Sequence, residues 1–368
     1  DLLLPKAQVT DSIAHPGQNV VVIILESFAA EFTGFMNEYE GYTPFLDSLA
    51  HAGVHFETGM ANGSTSAQAA SSILAGIPSM MDVPVLFSIY QNNHFYSVFD
   101  ELKSQGYSVG FYHGGANGTM GFDIFTQQLG FDYFGLNEYP YEGHYDGNWG
   151  IFDEPYLQYC VEQFDKKTNP FASVIFTLSS HNPYTIPEQH EGRFPKGDHR
   201  IHESIGYADY ALKQFFNRAK ESAWYDSTLF IITADHTKLP QEKAYHNILG
   251  YQKIPLILFQ PSGLLPGIDS SRIAEQVDIP ASIMDYLGYS LDEVPRFSTS
   301  FFNRDETDDA IFYSQGVYYY YTSQHHLRYI NGQIEMYDWK DNRLPDEGIS
   351  RDDVARLKAY IQYHHAGM

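Results

Sequence analysis

The sequence predicts an α/β fold with a mixed, mostly parallel central sheet, helices on both faces, and a small C-terminal antiparallel-sheet subdomain. Three observations predict it. Up to about residue 290, short β-branched runs alternate with helical segments, which is typical of parallel strands joined by helices. The first run, N-V-V-V-I-I-L-E at 19–26, is continuously apolar, as in a central strand covered on both faces. From about Asp309 the residues alternate around an N-G turn at 331–332, which indicates antiparallel strands.

The other elements follow from apolar spacing and from Gly or Pro stops. Gly53 ends the first helix, Gly76 and Pro78 stop a helix of small residues, and Gly106 separates a helix from a strand. Further strands are predicted at 54–56, 107–113, 171–181, 227–236 and 253–259, and helices at 43–53, 67–76, 95–105, 154–165, 203–220, 271–287 and 350–363. Because we find no internal repeat or low-complexity linker, we predict a catalytic domain over 1–300, with 301–368 packed on the same domain.

Composition limits the class of protein. With 368 residues, 43% of them hydrophobic, the chain can bury a substantial core. A net charge of −24 repels nucleic acid, so we expect no nucleic-acid partner. Cys160 is the single cysteine, so no intramolecular disulfide can form, and this does not identify the compartment. No run of 18 apolar residues occurs, so we expect no transmembrane helix in this chain. It begins with Asp1, so we expect a processed form or an expressed fragment, and a missing N-terminal part could carry a membrane anchor.

Several predicted strands end in polar residues. Glu26 ends the first strand, His181 ends the strand that begins at Phe171, and Asp235 and His236 end the strand within F-I-I-T-A-D-H-T. Ligand sites in parallel sheets form beyond the carboxyl ends of the strands, so these side chains are expected to meet. Two carboxylates and one imidazole suit a divalent ion such as Mn²⁺, Zn²⁺ or Mg²⁺.

The turn N-G-S-T-S at 62–66 offers hydroxyl groups at a helix start. A hydroxyl held by a metal ion loses its proton readily and becomes a nucleophile, and Thr65 or a neighbouring serine is suitably placed. The helix N-terminus favours an anion such as phosphate. His181 and His113 could then donate hydrogen bonds to a developing negative charge. Taken alone, a Ser-Thr-Ser run before a helix is more often an N-cap.

Four segments together resemble a known family. V-V-V-I-I-L-E-S, N-G-S-T-S, T-L-S-S-H-N-P-Y and I-I-T-A-D-H-T resemble, in this order, the extracellular catalytic domain of lipoteichoic acid synthases. Those enzymes belong to the sulfatase-like branch of the alkaline phosphatase superfamily. The resemblance runs from about residue 18 to 290, and it is the set of four motifs that is specific.

The resemblance implies a mechanism and a location. A single Mn²⁺ would be held by Glu26, Thr65, Asp235 and His236, and Thr65 would attack phosphatidylglycerol, take up glycerol phosphate and pass it to a glycan or lipid acceptor. His181 would assist catalysis and bind substrate. The synthases are anchored by N-terminal transmembrane helices, so the resemblance places this chain outside the cytoplasm at a membrane surface.

One segment departs from the family. After His113 the synthases carry a Trp and an Arg that grip glycerol phosphate, whereas this chain reads H-G-G-A-N-G-T-M-G-F-D at 113–123. His113 and Asn117 are therefore the predicted substrate-binding residues here, with Met120 and Asp123 as further candidates. This departure affects the predicted substrate and leaves the predicted metal and nucleophile residues unchanged.

Other functions remain as alternatives. A true sulfatase needs a C/S-x-P-x-R motif, which neither Q-Y-C-V-E-Q-F around Cys160 nor T-S-A-Q-A after Thr65 provides. A phosphoethanolamine transferase of the same superfamily shares the mechanism but is usually disulfide-rich and uses zinc. A phosphodiesterase would use water as the acceptor, and a non-catalytic binder would be expected to lose at least one of the four metal and nucleophile positions.

Overall fold

The computed structural model describes residues 15–368 except 239, 264, 266, 291–293, 296 and 304–307. Its strands, in chain order, are β1 Asn19–Leu25, β2 Val54–His55, β3 Thr58–Met60, β4 Ser108–His113, β5 Asp132–Phe134, β6 Phe171–Phe176, β7 Thr228–Ala234, β8 Leu256–Phe259, β9 Ile273–Glu275, β10 Asp309–Ser314, β11 Val317–Thr322, β12 His326–Ile330 and β13 Gln333–Tyr337. Its α-helices are α1 Pro44–Ala52, α2 Ser66–Ala75, α3 Val98–Ser104, α4 Phe122–Gln128, α5 Asp153–Asp165, α6 Arg200–Ala219, α7 Ile279–Leu287 and α8 Arg351–Gly367.

The central sheet confirms the predicted mixed, mostly parallel arrangement. Within the described residues it has seven strands in the order β2-β8-β7-β1-β6-β4-β5. The strands β7, β1, β6, β4 and β5 pair in parallel, whereas β8 runs antiparallel to β7. The continuously apolar strand β1 therefore lies in the middle, between β7 and β6, and helices cover it on both faces of the sheet.

Helices cover both faces of this sheet, as predicted. Val20, Val22 and Ile24 of β1 point to one side and join a core with residues of α2, α3, α4 and α7. The residues between them point to the other side and join a core with residues of α1, α5 and α6. This alternation follows from the two-residue period of a strand, so an unbroken apolar run serves two cores at once.

The C-terminal part forms the predicted antiparallel sheet and closing helix. In the described chain it has four strands in the order β10-β11-β12-β13, followed by α8. Leu327 and Tyr360 from this part share a buried cluster with Met80, Val277 and Phe297 from the preceding part. The two parts are thus packed through apolar side chains, and the proposed boundary at residue 300 stays a prediction.

One predicted helix was partly wrong. Residues 273–275 of the predicted helix 271–287 form β9, which pairs in parallel with β3, and the α-helix begins only at Ile279. The strand and the helix are both apolar, and a three-residue strand is too short to reveal its period. The short elements β3, β5 and α4 were also missed. Among the described residues, no helix has both the length and the apolar character needed to cross a bilayer.

Candidate active site

The predicted polar residues lie at one edge of the central sheet. Glu26 follows β1, and Asp235 and His236 follow its neighbour β7. On the other side of β1, His181 lies in the turn after β6, and His113 ends β4. Because these four strands are parallel neighbours, their carboxyl ends bring together residues that are up to 210 positions apart in the chain.

Glu26, Asp235 and His236 form a buried cluster. Each offers one ligand atom, these atoms lie within 4.8 Å of one another, and among the described residues this is the group with such geometry. Asp235 is held by the backbone, since its Oδ1 accepts hydrogen bonds from the N–H groups of Ser27 and His236, both at 2.7 Å. Its Oδ2 is thereby directed toward the other members of the cluster.

The imidazole of His236 has the tautomer expected of a metal ligand. Its Nδ1 lies 2.8 Å from the carbonyl oxygen of Thr237, which accepts a hydrogen bond from that nitrogen. In the neutral ring this leaves the lone pair of Nε2 directed into the cluster, 3.2 Å from Asp235 Oδ2. Lone pairs of two carboxylates and one imidazole therefore converge, and a divalent cation would satisfy all of them. This donor set fits such an ion.

The pKa values of the cluster residues also favour a bound cation. Burial raises the pKa of Asp235 to about 7, and the nearby Glu26 carboxylate adds to the effect. Burial also opposes ionisation of Glu26, but the charges of His236 and His181 hold its pKa below the usual value. Burial disfavours the charged form of His236, yet Asp235 and Glu26 raise its pKa. Two acids pressed together without a basic side chain of comparable charge are typical of a cation site.

The hydroxyl that contacts this cluster belongs to Ser66. Its Oγ donates a hydrogen bond to Asp235 Oδ2 at 2.7 Å, and it lies 3.3 Å from Glu26 Oε2 and 3.4 Å from His236 Nε2. Ser66 is only 4% exposed and is the first residue of α2. Its oxygen therefore touches all three candidate metal ligands.

The hydroxyl of Thr65 makes a different contact from that of Ser66. It is the N-cap of α2, its side chain is exposed, and its hydroxyl accepts a long hydrogen bond of 3.4 Å from the N–H of Gln68. This is the ordinary capping interaction. The structure thus brings Ser66 rather than Thr65 to the predicted ligands, so the role given to Thr65 stays a prediction that needs a direct test.

Hydrogen bonds fix the positions of the strand ends. The N–H of Glu26 donates to Thr177 Oγ1 at 3.0 Å, and Ser180 Oγ donates to the Glu26 carbonyl at 2.5 Å. Ser27 Oγ donates to Glu26 Oε1 at 2.5 Å, and Ser27 has a φ of 57°, an uncommon conformation for a residue other than glycine. On the other side, Gln276 donates to the carbonyl oxygens of both Ala234 and Asp235 at 2.7 Å.

His181 lies beside the cluster with a partner that the sequence did not suggest. Its ring meets that of Trp149 edge-on at 4.5 Å, and the indole N–H of Trp149 donates to the Asn182 carbonyl at 2.8 Å. The buried carboxylate of Asp153 stabilises the turn that carries His181, because it accepts hydrogen bonds from the N–H groups of Leu178 and Ser179 at 2.7 and 3.1 Å. Trp149 is far from the motifs, so only the fold reveals it.

The two other predicted substrate-binding residues do not hydrogen-bond to the cluster. His113 is buried, its Nδ1 pairs with the Phe176 carbonyl at 3.2 Å, and burial lowers its pKa, so the ring is neutral. Its Nε2 has no hydrogen-bond partner. Asn117 joins two loops instead, because its side chain donates to Glu138 and accepts from the N–H of Asn137. Their roles in substrate binding stay predictions.

Comparison with known proteins identifies the family. The sulfatase family profile matches residues 18–289, which is most of the chain. The chain belongs to the sulfatase family. This membership agrees with the resemblance seen in the four motifs, and it covers all the strands that carry the cluster.

Curated proteins similar to this chain include lipoteichoic acid synthases. Lipoteichoic acid synthase 1 of Bacillus subtilis is 25% identical over 80% of this chain and 50% of its own length. The lipoteichoic acid synthase of Staphylococcus saprophyticus is 25% identical over 88% of this chain and 52% of its own length. The chain therefore spans about half the length of the curated relatives it matches.

Solved structures give the same fold. A protein in the alkaline phosphatase superfamily from Vibrio parahaemolyticus is 25% identical and superposes with a TM-score of 0.86, covering 100% of this chain and 91% of that chain. The lipoteichoic acid synthase LtaP from Listeria monocytogenes, at 20% identity and a TM-score of 0.83, covers 98% of this chain and 95% of that chain. This sulfatase-family chain is thus an enzyme of the alkaline phosphatase superfamily.

Proposed function

We propose that this enzyme is a metal-dependent phosphotransferase that moves glycerol phosphate from a phospholipid donor to a glycan or lipid acceptor. The observation that carries the proposal is the contact of a buried hydroxyl, that of Ser66, with all three candidate metal ligands at the start of a helix. The similarity to lipoteichoic acid synthases supports glycerol phosphate as the group moved.

Glu26, Asp235 and His236 would hold one divalent ion, with Mn²⁺ preferred over Zn²⁺ or Mg²⁺. When bound, the ion would favour the ionised hydroxyl and polarise a phosphoryl oxygen. The resemblance of the four motifs favours manganese, but the donor set accepts all three ions, so metal analysis of the protein as purified is the direct test.

Side chains of this protein would transfer the protons, and the N-terminus of α2 would bind the phosphate. Asp235 accepts the Ser66 hydrogen bond at 2.7 Å and is therefore placed to take its proton as Ser66 Oγ attacks phosphorus. The P–O bond to the diacylglycerol breaks, and its oxygen takes a proton from His181. The N-terminus of α2 favours the negative phosphate. In the second step His181 takes the proton of an acceptor hydroxyl as its oxygen attacks phosphorus, the P–O bond to Ser66 breaks, and Ser66 Oγ recovers its proton from Asp235.

We place the reaction at a membrane surface because the donor we propose is a phospholipid, and outside the cytoplasm because the four motifs resemble an extracellular catalytic domain. The net charge of −24 opposes close approach to an anionic bilayer, so a preceding anchor would be useful for sustained contact. No nucleic-acid partner is expected.

The experiment measures release of diacylglycerol from phosphatidylglycerol vesicles with and without Mn²⁺. Ser66→Ala should lower the rate on the order of 10³-fold or more, since a nucleophile has been removed. Ser64→Ala is the matched control, because Ser64 is exposed and lies two residues away. A Ser66→Ala enzyme that works at the native rate would overturn the proposal.

A further inference from the structure

A cavity lies beside the loops that follow β1 and β7, the strands that carry the metal cluster. We call it the Glu31 cavity, and it is lined by Glu31, Phe32, Tyr42, Asp198, His202 and Glu242, among others. Its volume is about 290 Å³. Ligand cavities for drug-sized molecules range from about 300 to 1,000 Å³, so this one suits a headgroup rather than acyl chains.

The backbone links this cavity to the active site. Glu31 lies five residues after Glu26, and residues 241 and 242 lie six residues after Asp235 and His236 respectively. Glu31 Oε2 accepts hydrogen bonds from the N–H groups of Gln241 and Glu242 at 2.8 and 2.9 Å. The loops that follow the two ligand-bearing strands are thus joined at Glu31, and the cavity forms where they meet.

The cavity carries unbalanced negative charge. Glu31, Asp198 and Glu242 line it, and no Lys or Arg is among its described lining residues. Glu31 is only 3% exposed, and its Oε1 has no hydrogen-bond partner. Burial raises the pKa of Glu31 and lowers that of His202, so the imidazole contributes no positive charge at neutral pH. A buried acceptor oxygen without a partner is costly, and a cationic donor would satisfy it.

Aromatic rings complete the wall. Tyr42 and His202 stack with ring centroids 4.3 Å apart and nearly parallel planes, and Phe32 meets both rings edge-on. Aromatic faces attract organic cations through their quadrupole, and rings combined with carboxylates recognise ammonium groups. A metal ion fits less well, since among the described residues Glu26, Asp235 and His236 are the group in which three ligand atoms converge.

We propose that the Glu31 cavity binds a small organic ammonium group carried by the acceptor substrate. The inference rests on the proposed phosphotransfer in assigning that group to a substrate. It deepens that function by adding a second recognition site beside the phosphate. The glycerol phosphate headgroup of the proposed donor has no ammonium group, so the ammonium group belongs to the acceptor alcohol.

The test measures binding of tetramethylammonium and ethanolamine to the metal-free protein by calorimetry, with glycerol as the uncharged comparison. Glu31→Gln should weaken binding about tenfold or more while keeping an oxygen for the two N–H groups. Glu242→Gln is a second variant at an exposed position and should also weaken it. Glu38→Gln, an exposed carboxylate that does not line the cavity, should bind like the native protein.

Two results would overturn the inference: native protein that binds ethanolamine no better than glycerol, or Glu31→Gln and Glu242→Gln variants that both bind ethanolamine as tightly as the native protein does. The source is then assigned with Mn²⁺-loaded protein. Glu31→Gln should load from phosphatidylglycerol at the native rate and transfer more slowly to an amine-bearing alcohol. Slower loading from phosphatidylethanolamine in Glu31→Gln would instead assign the ammonium group to a donor headgroup and contradict both the acceptor assignment and glycerol phosphate as the group moved. Ammonium binding without covalent loading from any phospholipid would contradict the proposed function and leave the cavity assignment intact.

Discussion

Replacing Asp235 with Asn separates the two effects of this carboxylate. In the structure Oδ1 accepts two backbone hydrogen bonds, whereas Oδ2 faces Ser66 and His236. The amide oxygen of Asn can take over the two backbone bonds, so the fold should persist. The amide nitrogen replaces Oδ2, so one of the two negative charges of the cluster is lost.

The magnitude follows from the pKa of Asp235, which burial beside Glu26 raises from 3.8 to about 7. Because the folded-state pKa is the higher one, its contribution to stability is complete below pH 4 and is lost as the pH rises through 7. At about 1.4 kcal/mol per pH unit, the metal-free native protein loses up to roughly 4 kcal/mol by pH 8. Asn does not ionise, so the metal-free variant should be as stable as the native protein or more stable.

Bound Mn²⁺ should stabilise the native protein more than it stabilises Asp235→Asn. Mn²⁺ at about 1,000 times its Kd stabilises the native fold by about 4 kcal/mol. Loss of a carboxylate ligand should weaken binding at least about 100-fold, which reduces the gain at the same concentration to about 1.4 kcal/mol. Thermal unfolding at pH 8 with and without Mn²⁺ measures both quantities, and elemental analysis measures the bound ion.

Asp226→Asn is the matched control, since Asp226 is exposed and lies just before the opposite end of the same strand. It should leave both the metal-free stability and the Mn²⁺ increment unchanged. An Asp235→Asn protein that binds Mn²⁺ with native affinity would refute the ligand role, and a metal-free variant much less stable than the native protein would refute the electrostatic reasoning.

Three further predictions concern His181, a buried acid on α6 and the loop that follows β4. His181→Gln should slow diacylglycerol release about 10²- to 10⁴-fold with unchanged metal content, because we propose that His181 protonates the leaving oxygen and does not bind the ion. Release at the native rate would contradict this. Burial raises the pKa of Asp209 to about 7, so its contribution to stability falls as the pH rises from 4 to 7; Asp209→Asn should flatten that fall in urea midpoints, and parallel curves would refute it. Gly115→Ala places a Cβ 2.7 Å from His113 Nε2 and should lower the free energy of unfolding by about 1–3 kcal/mol in denaturant titrations, whereas native stability would show that the loop yields.

The middle of the central sheet could be predicted from sequence because β1, β6 and β7 are long and apolar. The runs around Val22 and Ile231 are buried on both faces, so their composition alone distinguishes them from surface segments. The strand at 273–275 could not be recognised, because three residues carry no period and the next segment is a genuine helix. Pairing with Thr58–Met60, which is a tertiary contact, decides its conformation.

The candidate site was predictable as a set of strand ends and less so in detail. Glu26, Asp235 and His236 lie where a parallel sheet collects its functional side chains, and the structure brings them together as expected. The choice between Thr65 and Ser66 depends on how α2 is rotated at its first residue, and the two hydroxyls are adjacent in sequence. Trp149 reaches His181 from a separate loop, so no local motif could reveal it.

The most direct test of the account is to map the covalent intermediate. The native protein, Thr65→Ala and Ser66→Ala are incubated with Mn²⁺ and phosphatidylglycerol, quenched, digested and sequenced by mass spectrometry. We predict a glycerol phosphate ester on Ser66 in the native protein and in Thr65→Ala, and none in Ser66→Ala. An ester on Thr65, or one that persists in Ser66→Ala, would contradict the assignment of the nucleophile.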